Sequence, residues 1–371
     1  MTGAGFQPPP LVWETLAEVR ALAAAHPGAM IDLTIGTPID APPDFVSEVL
    51  SRSLAARSYP PSIGTEGFRR AAAGWLQRRF GVEVDPGAVA ATIGSKELVA
   101  GLPQWLRLRR PDRDTVLHPA VAYPTYAMGA QLAGCRAVAV PSGPSGALDL
   151  AAIDPSDAAR ALCLWSNSPS NPTGALDDLD AVARWGRDHD VIVASDECYA
   201  ELTWDGPPRT ILSSGSEGVL AVHSLSKRSN LAGLRVGFYA GDPELVAYLS
   251  QLRKHAGFMV PGPVQEVGAA ALDDDDHAEA QRERYRRRLD AVVAALRSAG
   301  IDATPPGGAF YLWVTAPSGD GSDLTRTLAR DAGVLVTPGS AYGPDGSGFV
   351  RLALVVDDDR LEALVARIAS L

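Results

Sequence analysis

Over roughly the first 270 residues, short apolar runs alternate with longer stretches whose apolar positions recur every three or four residues. Segments 89–93, 115–118, 161–165, 191–194 and 219–222 are nearly unbroken apolar runs. Strands of that kind are buried on both faces, as in a parallel sheet covered by helices. Between them, 96–106 and 176–188 read as helices, and 11–25 has helical periodicity with Leu16, Val19 and Leu22 on one side. This alternation predicts an α/β fold. In such a fold ligands sit where the strands' carboxyl ends meet the loops. The polar motifs fall on those loops: Gly94-Ser-Lys96, Tyr123-Pro124, 167–174 and Asp196.

Past about residue 272 the texture changes. An acidic run, 273–276, precedes the charged stretch 281–290, which reads as a solvated helix. A strand at 308–314, a helix at 324–332, a strand at 349–354 and a helix at 360–369 then predict a smaller α+β domain. The expected division is an N-terminal arm and helix (1–35) packing with the small domain, a large domain (36–271) and a small C-terminal domain (272–371).

At 371 residues the chain is too long for one small core. Its apolar fraction of 46% and charged fraction of 21% are those of an ordinary soluble globular protein. A formal net charge of −11 argues against a nucleic-acid partner, which needs a basic face. Cys135, Cys163 and Cys198 are odd in number and lack metal or CxxC spacing, as expected in a reducing cytoplasm. No stretch reaches the ~20 apolar residues of a membrane span, and no secretory leader is read at the start. A cytoplasmic protein is expected.

The candidate chemistry centres on 224–237, where Lys227 lies among hydroxyls, glycines and a second cation, Arg235. That company suits a lysine forming a Schiff base with a phosphorylated aldehyde, whose phosphate Ser224, Ser226 and Arg235 can bind. Pyridoxal phosphate makes further demands, and each has a candidate. Asp196 can pair with a pyridinium nitrogen and keep it protonated, or can simply cap the following helix. Tyr199 can donate to the ring oxygen. Gly94-Ser95-Lys96 ends a strand and opens a helix, a place where backbone N–H groups attract phosphate; capping alone also accounts for it. Asn171 stands in a proline-stiffened loop and can donate to the ring oxygen or to a substrate carboxylate. Tyr123 can stack on a ring, or be a core tyrosine. Arg351 lies in the apolar run 349–354 and needs an anionic partner, either a substrate α-carboxylate or a structural acid.

In this order these motifs resemble the fold-type I, class I and II pyridoxal phosphate-dependent aminotransferases. Gly36-Thr-Pro38, Tyr59 through Gly64, Gly94 through Glu97, Tyr123 through Tyr126, Asn171 through Gly174, Asp196 through Tyr199, Ser224 through Arg235, and Arg351 all take part. The resemblance implies a large domain with a mostly parallel seven-stranded sheet. It implies that Lys227 bonds to the cofactor aldehyde and then moves the proton between Cα and C4′. Asp196 would pair with the pyridine nitrogen, Tyr199 and Asn171 would bind the ring oxygen, and Tyr123 would stack on the ring. Ser95 and Lys96, through backbone N–H groups, would hold the phosphate with Ser224 and Arg235. Arg351 would take the α-carboxylate with Gly36 beside it. Tyr59 would reach the partner's phosphate across a homodimer.

Several stretches look closest to the actinobacterial type of N-succinyldiaminopimelate aminotransferase: 122–134, 223–233, 253–257, 260–265 and 307–313. This implies glutamate as donor and a diaminopimelate-pathway keto acid as acceptor. Other substrates stay open: aspartate, alanine, an aromatic amino acid or a specialised-metabolite precursor, and a fold-type I lyase or cyclase beyond them. Leu234 stands where an aromatic is expected and Ala309 where a hydroxyl residue is expected. Arg228, Arg253 and Lys254 are candidate cations for a distal carboxylate, or plain structural and surface cations. His223 and His255 are expected to pack or hydrogen-bond rather than catalyse.

Overall fold

A computed structural model describes residues 15–204 and 206–371, together with Phe6 and Pro9. The remainder of the expected N-terminal arm, and residues 11–14 of the expected first helix, lie outside the described residues; that helix spans Ala17–Ala24.

Seven strands form one sheet, in spatial order Val89–Thr92, Gly237–Gly241, Val219–Ser224, Ile192–Asp196, Ala161–Asn167, Thr115–Pro119 and Arg136–Val140. Only Gly237–Gly241 runs antiparallel to its neighbours. All five apolar runs are strands. Arg136–Val140 escapes an apolar-run reading because it is the sheet's edge, with Arg136, Ala137 and Ala139 exposed. The two-residue period of a strand sends side chains to opposite layers. Val193 and Ala221 join Phe68, Trp75 and Val182 on one face, while Ile192, Ala194 and Val222 join Leu98, Leu102 and Tyr126 on the other.

A second, antiparallel sheet contains Thr337–Pro338, Phe349–Ala353 and Tyr311–Thr315, with Arg351 opposite both Thr337 and Trp313. Helices Gly321–Ala332 and Asp358–Ala369 cover it, and Ala17–Ala24 packs on Gly321–Ala332 through Ala23 and Ala329. The charged stretch 281–290 belongs to helix Asp276–Ser298. It is not solvated all round: Gln281, Tyr285, Arg288 and Leu289 are buried. The charge count concealed an inward face at i, i+4, i+7, i+8 spacing.

One buried ion pair ties helix Ser95–Arg109 to helix Pro243–His255. Both Nη atoms of Arg253 donate to Glu97, each at 2.7 Å, and the guanidinium lies 5.3–5.8 Å from the rings of Phe258, Trp105 and Tyr239. Glu97 also accepts the Ile93 N–H at 3.0 Å, so the pair holds the strand-to-helix turn. Breaking such a pair from one side leaves an uncompensated charge, whereas replacing both partners costs much less. Arg253→Met is therefore expected to lower unfolding free energy by about 3–5 kcal/mol. Arg253→Met with Glu97→Leu should recover much of that loss in urea titrations, and an unchanged midpoint for Arg253→Met would contradict the assignment.

Candidate active site

The strands end level where the chemistry collects. Asn167 lies opposite Asp196, and Asp196 opposite Val222, two residues before Ser224. Ser224 caps the one-turn helix Leu225–Arg228 by accepting the Ser226 N–H at 3.2 Å, and this turn carries Lys227 into the cleft. The Lys227 amine donates to the Gly36 carbonyl and stands 5.9 Å over the Phe310 ring. Burial lowers its pKa to about 8; Arg351 and Arg235 push the same way, while Cys198 and Asp196 oppose them.

Asp196 is buried, with Oδ2 accepting from the Tyr126 hydroxyl at 2.9 Å and Oδ1 from the Cys198 N–H at 3.3 Å. Burial raises its pKa, against the contacts of Cys198 and Tyr126 and the charge of Lys227. A cation beside it would favour the carboxylate form. Asn167 links this acid to the next loop: its Nδ2 donates to the Asp196 carbonyl at 2.9 Å, and its Oδ1 accepts the Asn171 N–H at 2.7 Å.

Arg351 is buried, 5% exposed, between the rings of Tyr311 and Tyr342, at 4.4 and 4.9 Å. It donates to Asn171 Oδ1 at 2.9 Å and to the Thr34 carbonyl, and its Nε has no partner. These partners carry no net charge, so the buried cation retains the capacity to bind an anion.

Gly94 has φ 67°, and a Cβ there would lie 2.3 Å from Arg235 Nη2. Glycine thus lets the guanidinium lie against the start of helix Ser95–Arg109. Beside it, Ser95 Oγ is 3.2 Å from Cys198 Sγ, and the Lys96 ammonium stands 5.6 Å over the Tyr123 ring. The Tyr199 hydroxyl is 2.7 Å from that of Tyr311. Burial raises both phenol pKa values, that of Tyr311 to about 12. A Cβ on Gly36 would lie 2.2 Å from the Tyr311 hydroxyl, so only glycine fits this approach.

The fold thus gathers Gly36, Ser95, Lys96, Tyr123, Asn171, Asp196, Tyr199, Ser224, Lys227, Arg235 and Arg351 about one cleft. Tyr59 stands apart, 94% exposed on the surface of this protomer. Two candidate distal cations are structural instead. Arg253 is paired with Glu97. Arg228 is buried against Glu201 and donates to the Ala271 carbonyl at 2.5 Å. Lys254 is exposed on helix Pro243–His255. His223 packs against Trp75, Phe80 and Phe238, and burial lowers its pKa to about 3. His255 is exposed. Ala309 is buried at φ 60°, its N–H and carbonyl bonded to Leu202 and Trp204.

Residues beyond the expected set contact these groups: Thr34, Tyr126, Asn167, Phe310, Tyr311 and Tyr342. Tyr126 was within reach of sequence reasoning, because it follows Tyr123 by three residues where a helix begins. Tyr311 lies in the 307–313 stretch noted above, but nothing local marks its meeting with Arg351 and Tyr199, or that of Tyr342 with Arg351, which arise through tertiary packing.

These groups fit pyridoxal 5′-phosphate by their own chemistry. A depressed-pKa amine suits its aldehyde, a buried carboxylate its pyridine nitrogen, and a guanidinium at a glycine-opened helix start its phosphate. The Lys227 amine also predicts a stability profile in protein freed of cofactor. Its folded pKa of about 8 lies below the ordinary 10.5, so the folded state binds this proton less tightly than the unfolded one. The burial penalty is therefore full below pH 8 and disappears as pH rises from 8 toward 10.5. Lys227→Met should raise Tm at pH 7, with the gain shrinking toward pH 10; a pH-independent difference would contradict the assignment.

Comparison with known proteins gives the same answer. The model of the family "Aminotransferase class I and II" matches residues 29–368. The chain is 43% identical to 4-dedimethylamino-4-oxo-anhydrotetracycline transaminase OxyQ of Streptomyces rimosus, across 97% of this chain and 99% of that one. It is 37% identical to LL-diaminopimelate aminotransferase of Nitratidesulfovibrio vulgaris, across 98% and 97%. Among solved structures, a probable N-succinyldiaminopimelate aminotransferase from Thermus thermophilus superposes with TM-score 0.88 at 32% identity, covering 97% of this chain and 99% of that one. The chain belongs to the class I and II aminotransferases, and its cofactor is pyridoxal 5′-phosphate.

Proposed function

We propose that this aminotransferase moves an amino group between the glutamate/2-oxoglutarate pair and a second pair, an amino acid with an acidic far end and its keto acid. N-succinyl-LL-2,6-diaminopimelate and its keto acid, N-succinyl-2-amino-6-oxopimelate, are the foremost candidates. The observation that carries the chemistry is the buried Lys227 amine, of lowered pKa, in one cleft with Asp196 and Arg351, whose hydrogen-bond partners are uncharged. The cofactor, when bound, supplies an aldehyde for the amino group and a ring that accepts the electron pair released at Cα. Lys227 would hold that aldehyde and would move the proton between Cα and C4′. Asp196, fixed by Tyr126 and the Cys198 N–H, keeps the ring nitrogen protonated. Tyr199 and the Asn171 Nδ2 donate to the ring oxygen, and Tyr123 covers the ring. The Ser95 and Lys96 N–H groups, Ser224 and Arg235 hold the phosphate.

Arg351 takes the α-carboxylate in a bidentate contact, with Gly36 beside it. In a homodimer Tyr59 reaches the partner's phosphate, a role its 94% exposure leaves it free to fill. The proposed division is a small C-terminal part, 272–371, on which helix Ala17–Ala24 packs, and a larger part, 36–271, and the free cysteines suit a cytoplasmic setting.

For the distal carboxylate, exposed Lys96 beside Tyr123 is the cation that the geometry favours over Arg228 and Arg253. The diaminopimelate reading draws support from the Thermus and Nitratidesulfovibrio relatives. A second reading, amination of a ketone on a polycyclic metabolite, is favoured by the 43% identity to OxyQ. Arg351 serves the amino donor in either case. Absorbance of the cofactor-loaded protein separates them. Loss of the yellow form on adding glutamate, and separately on adding N-succinyl-LL-2,6-diaminopimelate, is expected. Conversion by glutamate alone, with amination of 4-dedimethylamino-4-oxo-anhydrotetracycline, would replace the first reading with the second.

A further inference from the structure

The inward face of helix Asp276–Ser298 holds an ion pair that the reaction does not use. Arg288 is 2% exposed and donates through Nη1 and Nη2 to the two oxygens of Asp40, each at 2.7 Å. Gln281 Nε2 donates to the same carboxylate at 2.8 Å. The Gln281 Oε1 accepts from Asn230 Nδ2 at 3.1 Å, and Asn230 Nδ2 also reaches the Ala41 carbonyl at 3.3 Å. Asn230, at φ 55°, stands three residues beyond Lys227. One carboxylate and two amides therefore join segment 34–41, the Lys227 turn and a single helix.

Segment 34–41 is where two site cations find their backbone partners. The Thr34 carbonyl meets Arg351, and the Gly36 carbonyl meets Lys227. Upstream it is anchored by the two-residue strand Ile31–Asp32 and by the Thr34 N–H on Asp32 at 2.9 Å. Downstream, Ile35 and Ile39 are 46% and 49% exposed, so apolar burial adds little there. Asp40 is the polar anchor of that end. Its loss would let the two carbonyls shift against Arg351 and Lys227, and small displacements of binding groups are costly.

We propose that Asp40, held by Arg288 and Gln281, is a positioning residue for the substrate carboxylate. It fixes segment 34–36 against Arg351 and so governs substrate binding more than proton transfer. This rests on the reading of Arg351 as the carboxylate holder.

Asp40→Asn keeps the size and an oxygen for Gln281 but removes the charge. In the cofactor-loaded full chain it is expected to raise KM for glutamate and for the co-substrate about tenfold, with kcat within about twofold. Glutarate, which has the carboxylates but no amino group, should bind about tenfold more weakly by calorimetry. The double variant Asp40→Asn, Arg288→Gln leaves no unpaired buried charge. It should regain thermal stability while KM and glutarate affinity stay impaired, and it alone decides the matter if Asp40→Asn does not fold. Lowered Tm with unchanged KM and glutarate affinity, or a double variant that restores both with Tm, would overturn the proposal. Arg351→Gln separates the two readings. If it leaves glutarate affinity unchanged, the carboxylate assignment fails. If it weakens glutarate while Asp40→Asn does not, only the positioning role fails.

Discussion

The site depends on an amine placed where an ammonium ion is poorly favoured. Burial and two nearby guanidinium groups, Arg351 and Arg235, lower the Lys227 pKa to about 8. A side chain with this property can present the unprotonated form that attacks an aldehyde. The same cations are the ones proposed to meet the anionic ends of cofactor and substrate, so one arrangement would both lower the amine's pKa and bind its reactants. Asp196 supplies a counter-charge in the same cleft without forming a direct ion pair with the lysine.

That arrangement follows from the sheet. Parallel strands held in register bring Asn167 and Asp196 to one level, and the turn after Val219–Ser224 delivers Lys227 there. Gly237–Gly241, the antiparallel strand, pairs with both Val219–Ser224 and Val89–Thr92. It thereby brings the Arg235 turn beside Gly94. Arg351 reaches the cleft from the other sheet, and its hydrogen bond to Asn171 crosses between the two. The chemistry thus sits at a seam between two differently built layers, a common location for such sites.

Much of this was legible in the chain. Doubly buried strands announce themselves as apolar runs, and residues at their carboxyl ends stand out because polar groups interrupt them. Asp196 was readable for that reason, Lys227 and Asn171 from the polar segments that follow such strands, and Arg351 as a charge inside an apolar run. Edge strand Arg136–Val140 was not, because an exposed strand needs no continuous apolar run. Arg228 and Arg253 looked like free cations because a sequence shows their charge but not Glu201 or Glu97 folded against them. Helix Asp276–Ser298 looked solvated for the complementary reason: Arg288 counts as surface charge until Asp40, far away in the chain, closes on it. The contacts of Tyr311 and Tyr342 with Arg351 belong to the same class, made by residues distant in the chain.

Reduction of the cofactor-loaded protein with borohydride, followed by peptide mass mapping, tests the central assignment most directly. A phosphopyridoxyl mass increment confined to Lys227 is the predicted result. The same increment on Lys96, Lys254 or no lysine at all would contradict it.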